Sequence, residues 1–253
     1  MLMSGHSKWH SIKHKKAVVD ARRGQHFTKL ARAITVAAKE GGGDPEGNSA
    51  LALAIQKARD ASMPKDNIER AIAKGAGSGA DAEAFEAIVY EGYGPEGVAV
   101  IVEALTDNRN RTASEVRHIF AKFGGNLGTT GAVAWQFERR GVVLVTSAGV
   151  DEDELFLAAA DGGADDLEAD GDVFQVTSAP ENLAAVRGAI EGAGFPIESA
   201  ELSLLPKNTV AVDDEGKARQ LMRMIDALED DDDVQEVYAN FDIPEQVLEA
   251  VTA

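Results

Sequence analysis

Basic and aromatic side chains that could bind nucleic acid cluster near the amino terminus of the chain. Residues 1–32 contain eight lysines and arginines, one acidic residue and one tryptophan. Lysine and arginine release counterions from a phosphate backbone, and an indole ring can stack on an unpaired base. This composition predicts a nucleic-acid-binding segment, with a solvated basic helix face as the alternative. The candidate residues are Lys8, Trp9, Lys13, His14, Lys15, Lys16, Arg22, Arg23 and Lys29.

A second candidate anion site lies between a predicted strand and a predicted helix, at residues 106–112, with the sequence Thr-Asp-Asn-Arg-Asn-Arg-Thr. The free N–H groups at the start of the helix, together with Arg109 and Arg111, could hold a phosphate. Capping of the helix by threonine and asparagine oxygens, with both arginines solvated, explains the same residues equally well. We include Arg109 and Arg111 among the candidate nucleic-acid-binding residues.

Two patterns that contain histidine could suggest a metal ion. His6, His10 and His14 are four residues apart and could share a helix face, but no carboxylate or thiol is in register and the surroundings are strongly basic. Glu115 and His118 have the Glu-x-x-His spacing of carboxylate-bridged metal bundles, which require two copies of the motif where this sequence has one. We therefore predict no metal at either place.

Two acidic segments are also weak metal candidates. Residues 166–171 resemble the start of a calcium loop, but Thr177 occupies the twelfth position, where a bidentate glutamate is needed. The run Glu229-Asp230-Asp231-Asp232-Asp233 is interpreted as a solvated loop that repels phosphate, with a weak magnesium site as a minor alternative.

Catalytic motifs are missing from the sequence. The chain has no cysteine, no Gly-x-Ser-x-Gly elbow, no His-Glu-x-x-His and no dinucleotide-binding fingerprint. The glycine-rich stretch 124–131 lacks the Gly-Lys-Ser/Thr ending of a phosphate-binding loop. We predict that the protein is not an enzyme and needs no cofactor.

The charge distribution separates a basic beginning from an acidic remainder. Residues 1–80 carry a net charge of +7 and residues 81–253 a net charge of −25, for a total of −18. The polarity predicts an acidic body with a basic arm that binds a polyanion. The apolar fraction of 44% excludes a disordered chain, and no apolar run approaches the length of a membrane span. With no secretion signal and no cysteine, a cytoplasmic location is expected.

Helical periodicity predicts three short helices in the first 80 residues. Apolar residues recur at three- and four-residue spacing over 24–39 and 48–61, and a third helix begins near Pro64 and ends at Gly75. The glycine- and alanine-rich stretch 75–80 has the composition of a flexible linker. The sequence thus predicts a helical nucleic-acid-binding domain over residues 1–80.

The rest of the chain alternates between strand and helix patterns. A hairpin is predicted around Gly92–Gly97, a helix at 112–123 and a strand at Ala132–Phe137. Residues 141–205 have the order βαββαβ of a ferredoxin-like unit, and the remainder is too small to stand alone. The prediction is an α+β protein with two further α/β domains: residues 81–138 with 206–253, and residues 139–205 inserted between them.

Several motifs together resemble the YebC family. They are Ser4-Gly5-His6-Ser7-Lys8-Trp9, Met63-Pro64-Lys65-Asp66-Asn67-Ile68-Glu69-Arg70-Ala71-Ile72, Tyr90-Glu91-Gly92-Tyr93-Gly94-Pro95, Leu105-Thr106-Asp107-Asn108-Arg109-Asn110-Arg111-Thr112 and Gly124-Gly125-Asn126-Leu127-Gly128. The resemblance spans nearly the whole chain and is strongest over residues 4–138. Glu96 departs from the expected pattern, since a glycine or small polar residue would be usual in this turn.

The resemblance implies a helical domain followed by two α/β domains, one inserted in the other, and a non-enzymatic regulator of gene expression. Bacterial members are generally named transcriptional regulators. The mitochondrial relative is a translational activator of a cytochrome c oxidase subunit, and the family is also linked to ribosomes stalled on proline-rich chains.

The residues themselves favour RNA modestly over DNA as the partner. A basic, aromatic-bearing arm on an acidic body suits a crevice in structured RNA, whereas no helix with base-reading side chains next to a dimer interface can be identified. We expect a monomer that binds ribosomal RNA or DNA. An acidic adaptor that binds only proteins is the alternative function.

Overall fold

The computed structural model describes residues 20–77 and 85–252. Within these residues it divides into two compact units, one formed by residues 138–205 and the other by residues 20–77, 85–137 and 206–252. An all-helical region at residues 20–77 is followed by helices and mainly antiparallel sheets, so the α+β prediction is confirmed. The finer division into three domains stays a prediction. None of the helices in these described ranges is long and apolar enough to cross a membrane.

The helices of the described ranges, in chain order, are α1 (Asp20–Gly41), α2 (Ser49–Asp60), α3 (Lys65–Ala76), α4 (Arg109–Lys122), α5 (Glu152–Asp161), α6 (Leu183–Gly192), α7 (Glu215–Glu229) and α8 (Glu245–Thr252). The strands are β1 (Glu86–Tyr93), β2 (Ala99–Thr106), β3 (Asn126–Leu127), β4 (Phe137–Thr146), β5 (Ala164–Asp170), β6 (Val173–Ser178), β7 (Ile197–Pro206), β8 (Val210–Ala211), β9 (Val234–Ala239) and β10 (Phe241–Asp242).

Helices α1, α2 and α3 bury a shared apolar core in which Ile34, Leu51 and Ala58 are fully enclosed. Asn48 begins α2 by accepting a hydrogen bond from the Leu51 N–H, so one free donor of the first turn is satisfied. Helix α3 approaches α1 so closely that a Cβ on Gly75 would lie 2.2 Å from the carbonyl oxygen of Thr35. Only glycine allows this contact, and it determines how tightly the first and third helices pack.

The larger unit also contains a four-stranded sheet with the order β3-β1-β2-β9. Strands β1 and β2 form an antiparallel hairpin, and β9 pairs antiparallel with β2. The carboxy-terminal part of the chain therefore returns to the sheet that begins at residue 86. Helices α4 and α7 pack against each other and contact strands of this sheet.

The smaller unit has a ferredoxin-like topology. Its sheet order is β5-β6-β4-β7, which places the first strand of the βαββαβ sequence between the third and fourth. Helices α5 and α6 bury Leu155, Ala159, Val186 and Ile190 as they pack together. The periodicity of residues 141–205 thus corresponds to the observed elements.

The predicted strand at Ala132–Phe137 is wrong in its first part. Residues Ala134–Gln136 form a 3-10 turn, and β4 begins only at Phe137. The N–H groups of Gly131, Val133 and Ala134 donate to the carboxylate of Glu91. Because a strand would need backbone donors for its ladder, this long-range contact prevents the extended conformation that the apolar residues favour.

Glu96 lies in a turn where its backbone is strained. Its φ is +59°, in the left-handed region that favours glycine. Its carboxylate pairs with the Lys217 ammonium at 3.4 Å, but both side chains are about half exposed. An exposed pair of this kind contributes at most about 1 kcal/mol, so it offsets the strain only in part.

Replacement of Glu96 by glycine should therefore be neutral or stabilising, by up to about 1 kcal/mol in the free energy of unfolding. Urea denaturation measures the change. Glu96→Ala is the matched control, since it removes the ion pair and keeps the strain, and it should be less stable than Glu96→Gly. Equal stability of the two variants would show that the backbone strain contributes nothing.

Candidate nucleic-acid interface

The structure describes only part of the predicted binding set. Lys8, Trp9, Lys13, His14, Lys15 and Lys16 lie outside the described residues. Arg22 and Arg23 are in the first turn of α1, and the side chain of Arg23 is exposed. The basic segment, residues 8–23, thus ends in the first turn of α1, and the contacts of this helix fix the position of that turn.

One face of α1 is bound to the acidic loop, which we define as residues 229–233. Gln25, Lys29 and Arg32 follow one another at spacings of four and three, so they lie on one helix face. The Gln25 amide donates to the Asp230 carbonyl at 2.6 Å, and the Lys29 ammonium donates to the Glu229 carbonyl at 2.5 Å. The Arg32 guanidinium donates to the Asp232 carbonyl at 2.8 Å. Three polar side chains thus fasten α1 to the loop.

At the end of this loop the carboxylate of Asp233 is almost completely buried. It accepts hydrogen bonds from Arg111 at 2.6 Å, Thr112 at 2.7 Å, Thr106 at 3.0 Å and Arg32 at 3.0 Å. Burial raises the pKa of Asp233, but the hydrogen bonds from Arg111 and the two threonines lower the pKa more, so it lies below its usual range. The hydrogen bonds that Arg111 donates to Asp233, and then to Asp107, raise the pKa of Arg111.

The anion expected at residues 106–112 is therefore supplied by the protein itself. The Asn108 side chain also caps α4 by accepting from the Arg111 N–H, so capping and anion binding occur together. Lys29 and Arg111 are better assigned to holding the acidic loop than to binding nucleic acid, because their cationic groups donate to it. The interpretation of residues 229–233 as a solvated loop is corrected for Asp233, which is buried, whereas Asp230 and Asp232 are exposed. Arg109 is exposed and stays a candidate.

Beside this network lies a cleft of about 590 Å³ lined by residues of α4, α7 and the acidic loop, including Glu115, His118 and Asp231. Carboxylate oxygens of Glu115, Asp231 and Asp233 lie within 4.8 Å of one another. Burial, and then the charge of Asp231, raise the pKa of Glu115. These are the described residues best placed to hold a cation. The Asp233 oxygens already accept hydrogen bonds, which disfavours a cation at this cluster. No observation tests the prediction of no metal, and it stays a prediction.

A second contact fastens the helical region to the sheet. The Lys57 ammonium of α2 pairs with the carboxylate of Glu236 on β9, and both side chains are partly buried. The Arg32 guanidinium also lies 4.8 Å from the centre of the Phe85 ring, a cation–π distance.

Sequence reasoning missed Gln25, Arg32, Lys57 and Asp233, because their partners are distant in the chain.

These observations define a class: an α+β protein whose basic helical region is anchored to its own acidic α/β region. The family model described as the TACO1/YebC protein N-terminal domain matches residues 7–78, and the model of the TACO1/YebC second and third domain matches residues 85–241. The chain belongs to the TACO1/YebC family, which confirms the resemblance seen in its motifs.

Similar proteins from bacteria match nearly the whole of this chain. A probable transcriptional regulatory protein of Rubrobacter xylanophilus is 61% identical over 98% of this chain and 99% of its own. A protein of the same name from Persephonella marina is 54% identical over 99% of this chain and its whole length. The crystal structure of a conserved hypothetical protein from Aquifex aeolicus, 50% identical, covers 94% of this chain and 97% of its own with a TM-score of 0.85.

The buried carboxylate yields a stability prediction. Asp233→Asn should lower the free energy of unfolding at pH 7 by about 3 kcal/mol, because Arg32 and Arg111 would lose their partner. The pKa of Asp233 is lowered in the folded protein, so its contribution is complete above the unfolded value of about 3.9 and disappears as pH falls through the folded value. The difference between the two proteins should narrow below about pH 4.

Asp232→Asn is the matched control, since Asp232 is exposed and adjacent in the loop. We expect a change within about 0.5 kcal/mol for this variant. Urea denaturation of the wild-type protein and both variants between pH 3 and 7, at intervals of roughly one unit, makes the comparison. If both variants lose the same free energy of unfolding, the buried carboxylate of Asp233 has no particular structural role.

Proposed function

We propose that this protein is a non-enzymatic regulator of gene expression that binds structured RNA of the ribosome through the basic segment preceding and beginning α1. The observation that carries the proposal is the anchoring of α1 by Gln25, Lys29 and Arg32 to the acidic loop. The anchored face keeps the helix fixed on the body, so the helix end that the earlier cations join in sequence has a defined position. The proposed contacts are Lys8, Trp9, Lys13, His14, Lys15, Lys16, Arg22 and Arg23, with Arg109 as an additional cation.

Charge supports this use of the segment. Residues 81–253 carry a net charge of −25 and repel a phosphate backbone. The cations of Lys29, Arg32 and Arg111 are directed at the acidic loop, which leaves the earlier part of the chain as the richest source of positive charge. A polyanion is therefore expected to contact the basic segment of this protein first.

The geometry favours RNA over duplex DNA. A helix that reads the major groove must present its polar face to base edges. On α1 the face with the residue types suited to such reading, Gln25 and Arg32 among them, is covered by the acidic loop. An aromatic-bearing basic segment instead suits unpaired bases and irregular RNA surfaces.

Regulation through duplex DNA is the second candidate function. It is favoured by the names of the relatives from Rubrobacter xylanophilus and Persephonella marina, both of which are probable transcriptional regulatory proteins. As part of the proposal we place the protein in the cytoplasm as a monomer without a cofactor.

Sedimentation with purified ribosomes, compared with binding to mixed-sequence duplex DNA at the same salt concentration, separates the two candidates. We expect the protein to sediment with ribosomes and to bind duplex DNA at least tenfold more weakly. Preferential binding to DNA would favour the transcriptional alternative. Binding to neither, with capture of ribosome-free proteins only, would favour the adaptor function and contradict the proposal.

The salt dependence of binding tests the role of the basic segment. If about five phosphates are neutralised, log K should fall with log salt with a slope of about −3.5 to −4.5. Replacement of Lys13, Lys15 and Lys16 by alanine should reduce the magnitude of this slope by about 2 to 3, because three phosphate contacts are lost. Filter binding to ribosomal RNA at several salt concentrations measures both slopes.

A charge-matched control is available on α7. Replacement of Lys217, Arg219 and Arg223 by alanine changes the net charge by the same amount but leaves the basic segment intact. This variant should keep the wild-type slope. Equal flattening in both triple variants would mean that total charge, and not the segment, determines affinity.

A further inference from the structure

The loop that carries Trp135 is held rigidly by a buried carboxylate. We call residues 128–136 the tryptophan loop. Glu91, only 5% exposed, accepts hydrogen bonds from the N–H of Gly131 at 2.6 Å and from those of Val133 and Ala134 at 2.8 Å. Burial raises the pKa of Glu91, but these three donors lower the pKa more, and the net result lies below the usual value. A charged acceptor thus fixes three backbone N–H groups within four residues of the loop.

Further hydrogen bonds hold both ends of the tryptophan loop. The Gly128 N–H donates to the Glu91 carbonyl at 2.8 Å, and the Tyr93 hydroxyl donates to the Ala132 carbonyl at 3.1 Å. After the tryptophan, the Lys207 N–H donates to the Gln136 carbonyl at 2.8 Å. The loop is therefore preorganised, and a ligand that binds it would lose little entropy in ordering it.

Trp135 projects from this rigid loop into solvent. The side chain is 65% exposed, although its neighbours Val133 and Gln136 are buried. The indole N–H donates to the Ala132 carbonyl at 3.2 Å. Because its one donor is used internally, the ring offers a ligand its aromatic surface and not a hydrogen bond.

The surroundings of Trp135 suit a nucleotide better than a protein. Thr129, Thr130 and Lys207 are exposed on the same loop or on the segment hydrogen-bonded to it. The other exposed large apolar side chains of the described residues, Val89, Phe156 and Leu157, lie on β1 and α5. Protein interfaces have a core of several apolar residues, whereas a single exposed aromatic ring, with hydroxyls on its own loop and a cation on the adjoining segment, matches a base and its phosphate.

We propose that Trp135 is a stacking site for an unpaired RNA base and that Lys207 contacts the neighbouring phosphate. The site lies on the α/β part of the chain and is additional to the basic segment. The inference depends on the proposed RNA-binding function, and it names the chemical class of the second contact: a single-stranded nucleotide, read by its aromatic face.

Replacement of Trp135 tests the site by affinity. Binding of a short single-stranded oligoadenylate to Trp135→Ala should be about 5- to 150-fold weaker than to the wild-type protein, which is the range for loss of one stacked base. Trp135→Phe should retain most of the affinity, because a phenyl ring still stacks. Phe156→Ala is the matched control, since it removes an exposed aromatic ring from α5, and it should bind as the wild type does. Melting curves confirm that each variant is folded.

Fluorescence supplies a second and direct readout. The chain has two tryptophans, so the Trp9→Phe variant leaves Trp135 as the only indole. Oligoadenylate should quench its emission, and Lys207→Gln should weaken this quenching and reduce the magnitude of the salt slope by about 0.7.

The outcomes separate this inference from the function on which it depends. If the wild type binds the oligonucleotide but Trp135→Ala binds equally well and Trp135 is not quenched, the stacking site is wrong and the proposed function stands. If the wild type binds no RNA, both are wrong. A concentration-dependent blue shift of Trp135 without RNA would assign the residue to a protein interface and also overturn the site.

Discussion

The carboxylate of Asp233 has almost no access to water, and four side-chain donors replace the water it has lost. They come from three other parts of the chain: Arg32 from α1, Thr106 from the end of β2, and Arg111 with Thr112 from α4. A buried charge without partners is very unfavourable. The positions of α1, of the β2–α4 connection and of the acidic loop are therefore linked, since none can move away without leaving this charge or its cations unpaired.

Glu91 shows a second solution to the same physical problem. Its carboxylate is satisfied by backbone N–H groups where that of Asp233 is satisfied by side chains. In both cases the bonds to the ionised form outweigh burial and lower the pKa. Part of the acidic excess of this protein thus fixes loops, and only the rest contributes to the field that repels phosphate.

The internal use of cations changes where the functional surface lies. Lys29, Arg32 and Arg111 have the residue types of a phosphate site, but the acidic loop already occupies them. The TACO1/YebC family models and the similar crystal structure establish the fold, and two of the relatives are named probable transcriptional regulatory proteins. The anchored α1 adds a physical reason to look for the partner upstream of this helix and, on the α/β part, at the exposed ring of Trp135.

The sequence by itself was sufficient for the class of fold, the helices and strands of residues 141–205, and the family. These features depend on local periodicity, on residues such as Pro64 that begin a helix, and on motifs that are contiguous in the chain. It also made Arg111 a candidate for binding an anion, with a solvated arginine as an equal alternative.

Only the tertiary structure decided which anion that is, because Arg111 and Asp233 are more than a hundred residues apart. The same holds for the 3-10 turn at Ala134–Gln136, where apolar residues predicted a strand and the distant carboxylate of Glu91 took the backbone donors. Periodicity indicates which face of an element is buried. It does not indicate which charged group from elsewhere in the chain pairs with a residue on that face, because this pairing is determined by the free energy of burying the two groups together.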